Sequence, residues 1–232
     1  MEVEAILEEV RREYLRRMTC GNGRLLQQVE QYVTARRGKM LRPRLTLLAA
    51  AKDGAGTERI RRTVLLATCV EMLHNASLLH DDVVDCADER RGQPSVNVRW
   101  NSRVAVLVGD YHLARVMELL DEVNEPEASR LVNQTVMAMV ESELLQQEVM
   151  AGLEMNEDIY LKIIDGKTAR LFSMACAFGN PQYADFGLHY GRLFQLRDDL
   201  ADGEDTPWTR TLMAREEEIL ERMPLRLELP LQ

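Results

Sequence analysis

Apolar residues recur every three or four positions along almost the whole chain, which is the spacing of one face of an α-helix. Short stretches rich in glycine, proline and asparagine interrupt the pattern and predict the ends of roughly eight helices. Long helices are expected from Arg62 to Asp85 and onward from Val96, Glu127, Glu157 and Tyr183. Strand-like alternation does not compete with this pattern, so the chain is predicted to be all-α.

The segment from Arg62 to Asp85 is apolar on nearly every side until its last turn. A helix without a polar face is usually buried, so we expect this segment to be the central helix of a large bundle. Its carboxyl end, in the stretch "LLHDDVVDCADERRG", is strongly acidic and then basic. The carboxyl end of this helix is therefore expected to be exposed to solvent at the edge of the core.

The composition agrees with a folded, helical protein. Hydrophobic residues make up 46% and charged residues 29% of the 232 positions, and glycine and proline are scarce. Nothing here requires a second domain, so a single domain over residues 1–232 is predicted. The net charge of -9 argues against a nucleic-acid surface, and only four of the 29 basic residues are lysines.

The four cysteines show neither CxxC spacing nor a dense framework, which is typical of free thiols in a reducing compartment. They are Cys20, Cys69, Cys86 and Cys176. The amino-terminal residues form an acidic amphipathic pattern, and no apolar run approaches the length of about eighteen residues that a membrane span needs. We therefore expect a cytoplasmic protein without a signal peptide or a transmembrane segment.

The acidic stretch contains Asp81, Asp82 and Asp85, of which the first and last lie one helical turn apart. Like charges at this spacing cost a helix roughly 0.2–0.5 kcal/mol per pair unless a cation lies between them. Mg²⁺ is a suitable cation because it takes carboxylate oxygens together with water and phosphate oxygens. For one such motif, a solvated acidic helix end is the alternative.

The same spacing recurs at Asp198, Asp199 and Asp202, again after an apolar helix. Two such motifs are improbable on composition alone, which favours metal binding over a solvated helix end. Carboxylate clusters that hold Mg²⁺ on a diphosphate assist the departure of a phosphorylated leaving group. We therefore expect the chain to act on a diphosphate.

Basic residues accompany the first motif. Lys39 and Arg42 lie at the start of a predicted helix, with Arg44 beside them, where the helix dipole also favours anions. Arg90 and Arg91 follow the aspartates directly. All of these are candidates for binding phosphate oxygens, and for the first group an ordinary basic helix start is the alternative.

Two smaller signals have a structural alternative. His74 and His80 lie on the apolar central helix, where a histidine is more often a core residue than a ligand. Lys167 and Thr168 precede another apolar helical run. A lysine there is usually a surface residue, but it is less easily dismissed in a chain with so few lysines.

Six motifs occur in order between about Arg36 and Asp202: "GKMLRP", "HNASLLHDDVVDCADERRGQPSVN", "VLVGDYHLAR", "ESELLQQ", "GKTARLF" and "FQLRDDLAD". With them the chain resembles the trans-type polyprenyl diphosphate synthases, relatives of farnesyl and geranylgeranyl diphosphate synthase. The resemblance implies the isoprenoid synthase fold, a single-domain helical bundle whose two aspartate motifs face each other across a deep substrate pocket. It also implies a homodimer, with a hetero-oligomer as the alternative.

The resemblance implies roles for individual residues. The main Mg²⁺ ligands would be Asp81, Asp85 and Asp198, supported by Asp82, Asp199 and Asp202, with about three Mg²⁺ ions in the active site. The allylic diphosphate would contact Arg90, Lys167 and Thr168, and Gln195 would face the developing cation. The diphosphate of isopentenyl diphosphate would contact Lys39, Arg42, His74 and Arg91.

The implied reaction is the condensation of isopentenyl diphosphate with an allylic diphosphate. It would need no side-chain nucleophile, only stabilisation of the leaving group and positioning of the reactants. In this family, bulky residues four and five positions before the first aspartate tend to stop chain growth early, and this chain has Ser77 and Ala76 there. We therefore expect a product longer than farnesyl.

The sequence departs from the family after the second motif, where relatives continue with further helices and usually supply another lysine. Those helices are expected to be absent here, and Arg210 is the nearby basic substitute. An alternative is therefore a catalytically weak or inactive subunit that binds diphosphate or supports a partner. A terpene cyclase is a third class, but the second aspartate motif argues against it.

Overall fold

The computed structural model describes residues 3–18, 23–35, 38–52, 57–224 and 227, so Cys20 lies outside the described residues. Among these residues the regular structure is helical, apart from one hairpin of two very short strands. The predicted all-α class is confirmed. The chain divides into two compact units, the first of Met1–Leu47 with Gly56–Glu125 and the second of Leu48–Ala55 with Pro126–Gln232. A single domain over the whole chain stays a prediction.

The first unit is built around one long helix. Its described elements are α1 (Val3–Met18), α2 (Arg24–Ala35), α3 (Leu41–Ala51), α4 (Thr57–Val84), β1 (Glu89–Arg90), β2 (Gln93–Pro94), α5 (Val96–Arg99) and α6 (Ser102–Val123), and α3 ends within the second unit. Helix α4 has fully buried residues in succession, among them Leu66, Ala67, Cys69, Val70 and Met72. It is therefore the buried central helix of this unit, as its apolar pattern predicted.

The run that starts at Val96 is divided in the structure. Helix α5 ends at Arg99 and α6 begins at Ser102. The side-chain oxygen of Asn101 accepts a hydrogen bond from the backbone N–H of Val104 over 3.0 Å, which is the contact of an N-cap residue. The prediction of one long helix is wrong here, because the apolar pattern continues across the break and does not report the cap.

The second unit contains the remaining helices. These are α7 (Pro126–Met150), α8 (Glu157–Ile164), α9 (Arg170–Gly179), α10 (Ala184–Asp202) and α11 (Thr209–Arg222). A π-helical turn, Asp165–Ala169, joins α8 directly to α9, and a short 3-10 turn, Pro181–Tyr183, leads into α10. Helices α8, α10 and α11 share an apolar cluster of Tyr160, Ile164, Leu196 and Leu212.

No helix in the described parts of the chain is both long enough and apolar enough to cross a bilayer.

Candidate active site

A tight hairpin folds the chain back onto the end of α4. Strands β1 and β2 are antiparallel, and the turn residues Arg91 and Gly92 both have positive φ angles, 55° and 72°. The hairpin places Arg90 against Asp82, with Arg90 Nε donating to Asp82 Oδ1 over 2.8 Å. The hydrophobic pattern did not predict this hairpin, because strands of two residues are too short to show alternation. Gly92 was the available signal, since positive φ at consecutive turn residues favours glycine.

The three aspartates at the end of α4 differ in their surroundings. Asp82 is 2% exposed and its carboxylate is paired with Arg90. Burial raises the pKa of Asp82, and the ion pair with Arg90 opposes this change. Asp81 is half-buried and Asp85 is exposed, and one helical turn separates them. The outer carboxylates of the motif are therefore the more accessible pair, while the middle one is tied to the hairpin.

Arg42 on α3 and His74 on α4 are in contact, with 3.2 Å between Arg42 Nη1 and His74 Nε2. A guanidinium keeps its protons, so Nε2 is the acceptor and His74 is neutral. Burial lowers the pKa of His74 well below its usual range, and the charges of Arg42, Arg91 and Arg90 act in the same direction. The structure thus places three of the residues predicted for isopentenyl diphosphate in one electropositive region. The fourth, Lys39, is exposed just ahead of α3.

His80 has a packing role in the first unit. Its imidazole lies over Gly109 on α6, where an added Cβ would come within 2.3 Å of Nε2. The same nitrogen is 3.3 Å from the carbonyl oxygen of Val106. This close helix contact favours the structural alternative for His80 over a role as a ligand.

Ala76 and Ser77 lie inside the first unit, one turn before the aspartates. Ala76 is 1% exposed, and Ser77 is half-buried with its hydroxyl donating to the carbonyl oxygen of His74 over 2.9 Å. Both side chains are small, so this stretch of α4 presents little bulk. Control of product length by these two positions stays a prediction.

In the second unit, Lys167 and Thr168 lie in the π-helical turn, a feature that often marks functional sites. Gly166 allows the turn to press against α7, because an added Cβ would lie 2.4 Å from the carbonyl oxygen of Ala138. Apolar periodicity could not reveal this turn, since it changes the backbone hydrogen bonds without interrupting the pattern of buried residues. The sequence predicted Lys167 and Thr168 as candidate site residues, but it did not predict the π-helical turn in which they lie.

Lys167 is held by α7. Its Nζ donates to Gln146 Oε1 over 3.1 Å and lies 3.8 Å from Glu143 Oε2. Both partners belong to the "ESELLQQ" motif, whose role the sequence left open. The motif therefore fixes the ammonium group of Lys167, which remains partly exposed at 31%.

A continuous hydrogen-bond chain joins four side chains of the second unit. Thr168 Oγ1 donates to Gln195 Oε1 over 2.6 Å, and Gln195 Nε2 donates to Asp199 Oδ1 over 2.7 Å. The hydroxyl of Tyr160 donates to Asp199 Oδ2 over 2.5 Å. Thr168 and Gln195, both predicted to contact the allylic substrate, are thus in direct contact. Tyr160 was missed, because a tyrosine on the apolar face of α8 has no spacing that sets it apart.

The second aspartate motif repeats the arrangement of the first. Asp198 and Asp202 are exposed and lie one turn apart on α10, whereas Asp199 is 9% exposed and accepts two side-chain hydrogen bonds. The middle aspartate is buried in both motifs, although its partners differ. The two motifs therefore share their local geometry as well as their spacing, because each has a buried middle aspartate between two outer aspartates one turn apart.

A network of ion pairs contacts the first residue of the π-helical turn, Asp165. Arg192 on α10 makes a bidentate pair with Asp165, over 2.5 and 2.7 Å, and lies 3.5 Å from the fully buried Glu216 of α11. His189 Nδ1 contacts the other oxygen of Glu216 at 2.5 Å. The network joins α10, α11 and the first residue of the turn. Asp165 and Glu216 lie 27 and 24 positions from Arg192, so sequence spacing carried no signal for the network.

The described residues contain no group of three or more His, Cys, Asp or Glu side chains arranged to hold a metal ion. Each motif instead offers two outer carboxylates one helical turn apart. Mg²⁺ suits such a donor set, since one or two carboxylates commonly hold it while water and substrate phosphates supply the other ligands. The residues present therefore fit a divalent cation of this kind that is bound together with a phosphorylated ligand.

Several known proteins are similar in sequence to most of this chain. The family model described as Polyprenyl synthetase matches residues 23–209. The chain is 38% identical over 187 residues to an all-trans-nonaprenyl-diphosphate synthase (geranyl-diphosphate specific) of Rhodobacter capsulatus, covering 77% of this chain and 57% of that protein. It is 36% identical to heptaprenyl diphosphate synthase component 2 of Bacillus subtilis, covering 73% of this chain and 51% of that protein. The chain thus spans little more than half the length of these curated relatives.

A solved structure with a similar fold is a polyprenyl synthase from Caulobacter crescentus complexed with calcium and isoprenyl diphosphate. The TM-score is 0.81 and the identity 34%, with 88% of this chain and 64% of that chain covered. This similarity confirms the isoprenoid synthase type of all-α fold. Since the family match also extends over well more than half of the residues, the chain belongs to the polyprenyl synthetase family.

Proposed function

We propose that this chain is a Mg²⁺-dependent prenyltransferase that condenses isopentenyl diphosphate with an allylic diphosphate. The observation that carries the proposal is the repeated aspartate motif, with two outer carboxylates one helical turn apart and a buried middle carboxylate each time. The relatives support it, since two of them are named for the synthesis of nonaprenyl and heptaprenyl diphosphate. The product is accordingly a trans-polyprenyl diphosphate longer than farnesyl.

The proposed Mg²⁺ ligands are the outer carboxylates, Asp81 with Asp85 and Asp198 with Asp202. Asp82 and Asp199 lie next to these pairs in buried positions. When bound, Mg²⁺ neutralises the diphosphate as a leaving group, and about three ions per active site is the number we propose. The calcium and isoprenyl diphosphate in the Caulobacter structure belong to that protein, but they support a divalent cation and a prenyl diphosphate as ligands here.

The side chains of this protein bind and orient the two substrates. Lys167 and Arg90 hold the allylic diphosphate through their positive charges. Thr168, whose hydroxyl proton is donated to Gln195, lies beside Lys167, and the amide oxygen of Gln195 faces the allylic carbon where positive charge develops. A second set of residues binds the diphosphate of isopentenyl diphosphate, namely Lys39, Arg42, His74 and Arg91. Within this set, Arg42 holds the neutral imidazole of His74. The isopentenyl double bond attacks the allylic carbon as the diphosphate leaves, and the departed pyrophosphate takes the proton. Rate enhancement comes from positioning and electrostatic stabilisation.

Incubation of the purified chain with Mg²⁺, isopentenyl diphosphate and an allylic primer tests the proposal. We expect elongated prenyl diphosphate with geranyl, farnesyl or geranylgeranyl diphosphate, detected by chromatography after dephosphorylation. A chelator should abolish the product, and added Mg²⁺ should restore it. Absence of elongation with all three primers, from protein with a helical circular-dichroism spectrum, contradicts the proposal.

Replacement of Ala76 by phenylalanine should shorten the product. Ala76 lies five positions before Asp81, where bulky residues tend to stop chain growth early in this family, so a phenyl ring there should block the growing chain. Because Ala76 is 1% exposed, the ring must also displace neighbouring side chains. We expect the product distribution to shift by at least one isoprene unit toward shorter chains, with little change in the rate of the first condensation. Val84→Phe, at a position 48% exposed on the same helix, is the control and should leave the distribution unchanged. An unaltered distribution in Ala76→Phe would refute the assignment.

A second candidate function is that of a subunit that binds diphosphate but depends on a partner for turnover. One observation favours it: a relative is named component 2 of a heptaprenyl diphosphate synthase. In that case the isolated chain binds Mg²⁺ with pyrophosphate, measured by calorimetry, and forms product only after a partner is added.

Self-association is also part of the proposal. Helix α7 exposes Met137, Val140 and Leu144 to 56%, 55% and 60%, at helical spacing along one side. Exposed apolar patches of this kind mark protein–protein contacts. This face of α7 is the proposed contact in a homodimer, and a hetero-oligomer would use the same apolar face.

A further inference from the structure

Asp199 is surrounded by partners from its own unit. It is 9% exposed, and each of its carboxylate oxygens accepts one side-chain hydrogen bond, from Gln195 on the one side and Tyr160 on the other. Tyr160 is 6% exposed and packs in the apolar cluster with Ile164 and Leu196. A carboxylate held from both sides by packed residues has a fixed position. Neighbouring Asp198, in contrast, is exposed.

The bond to Asp199 sets the orientation of the Gln195 amide. An ionised carboxylate can only accept hydrogen bonds, so the Gln195 group that faces it must be the NH₂. The amide oxygen then points the other way and accepts the hydroxyl proton of Thr168, over 2.6 Å. The orientation of Gln195 and the proton direction of Thr168 are therefore both determined by Asp199.

We infer that Tyr160 and Asp199 are positioning residues: the phenol holds the carboxylate, the carboxylate holds Gln195, and Gln195 holds Thr168. Asp199 acts in this chain of bonds and is not a Mg²⁺ ligand, so the second motif binds its metal through Asp198 and Asp202. The roles of Gln195 and Thr168 toward substrate rest on the proposed function. The arrangement of the four side chains does not depend on it.

Steady-state kinetics distinguish positioning from metal binding. Tyr160→Phe removes the phenol donor and should lower kcat about tenfold, with KM for both substrates within about twofold. The Mg²⁺ concentration for half-maximal rate should not change. Tyr190→Phe removes a hydroxyl from the same unit without contacting Asp199 and serves as the matched control, with kcat expected to be unchanged.

Asparagine substitutions at Asp199 and Asp198 further separate a positioning role from a metal-binding role. In Asp199→Asn the remaining oxygen can accept from Gln195, and the new NH₂ can donate to the Tyr160 oxygen, because a hydroxyl also accepts. The variant should therefore retain kcat within a few-fold and an unchanged Mg²⁺ dependence. Asp198→Asn, which removes a charge from a proposed ligand, should need at least about tenfold more Mg²⁺.

Two measurements do not require turnover. Calorimetry with Mg²⁺ and inorganic pyrophosphate should show weaker binding in Asp198→Asn but wild-type binding in Tyr160→Phe and Asp199→Asn. Thermal unfolding of the metal-free protein should show coupling, in that Tyr160→Phe lowers Tm more in the wild-type background than in Asp199→Ala. These measurements remain informative if the chain forms no prenyl product, so failure of this inference and failure of the proposed function can be told apart.

Two outcomes overturn the inference. The first is a rise in the Mg²⁺ requirement, or a loss of pyrophosphate binding, in Asp199→Asn that equals the effect of Asp198→Asn. The second is additive loss of Tm in the double variant, which would show that Tyr160 and Asp199 act independently. Normal Mg²⁺ dependence in Asp199→Asn together with a coupled Tm supports the inference.

Discussion

Substitution of Asp81 by asparagine should lower the rate of condensation by at least about a thousandfold while the fold stays intact. Asp81 and Asp85 form the outer carboxylate pair at the end of α4, whereas Asp82 is buried against Arg90. Asparagine is close to aspartate in size, so the change removes charge without creating a cavity. The lost charge weakens Mg²⁺ binding and leaves the departing diphosphate less stabilised. Single-turnover rates at saturating substrate and Mg²⁺ measure the effect.

Asp88→Asn provides the control for this prediction. Asp88 is exposed and lies a few residues further along the same acidic stretch, outside the motif. Its substitution removes the same charge from the protein and should change the rate by less than about twofold, because exposed charges outside a site are well screened. If Asp81→Asn keeps more than a tenth of the wild-type rate, the first motif does not hold the metal as proposed.

Substitution of Gly166 by alanine should lower the free energy of unfolding by about 2 kcal/mol. In an exposed helix, replacement of glycine by alanine stabilises the helix by about 1 kcal/mol, since alanine is the better helix former. Here the added Cβ would lie 2.4 Å from the carbonyl oxygen of Ala138 and 2.4 Å from the Cβ of Ser142. The π-helical turn must therefore move away from α7. For a chain of this size the expected fall in Tm is about 4–8 °C, measured by circular dichroism.

The same substitution should reduce activity, because Lys167 and Thr168 belong to the turn that moves. Ser142→Gly relieves one of the two close contacts, so it should recover part of the loss in Gly166→Ala although Ser142→Gly alone is destabilising. The carbonyl oxygen of Ala138 cannot be removed, so recovery should be incomplete. An unchanged or raised Tm in Gly166→Ala would show that α7 and the turn are not packed this closely.

Residue spacing was sufficient to predict the local geometry of the two aspartate motifs. The i, i+4 relation of Asp198 with Asp202 follows from helical geometry, since both lie on α10. Asp85 directly follows α4, and its backbone N–H donates to the carbonyl oxygen of Asp81 over 2.8 Å, which keeps the same relation. The burial of α4 likewise followed from its lack of a polar face. Local periodicity failed where a single residue changes the backbone. Asn101 caps a new helix, and Gly92 permits a hairpin that carries Arg90 back to Asp82.

By itself the sequence determined the helical class, the central helix of the first unit and the candidate residues, because helical periodicity and motif spacing are properties of neighbours along the chain. Only the tertiary structure decided which carboxylates are exposed and which are tied. The partners of Asp199 are Gln195, one turn away, and Tyr160, 39 positions away, and the hydroxyl of Thr168 reaches Gln195 across 27 positions. Such contacts arise when α8, α10 and the π-helical turn pack around one apolar cluster, and no local pattern encodes them.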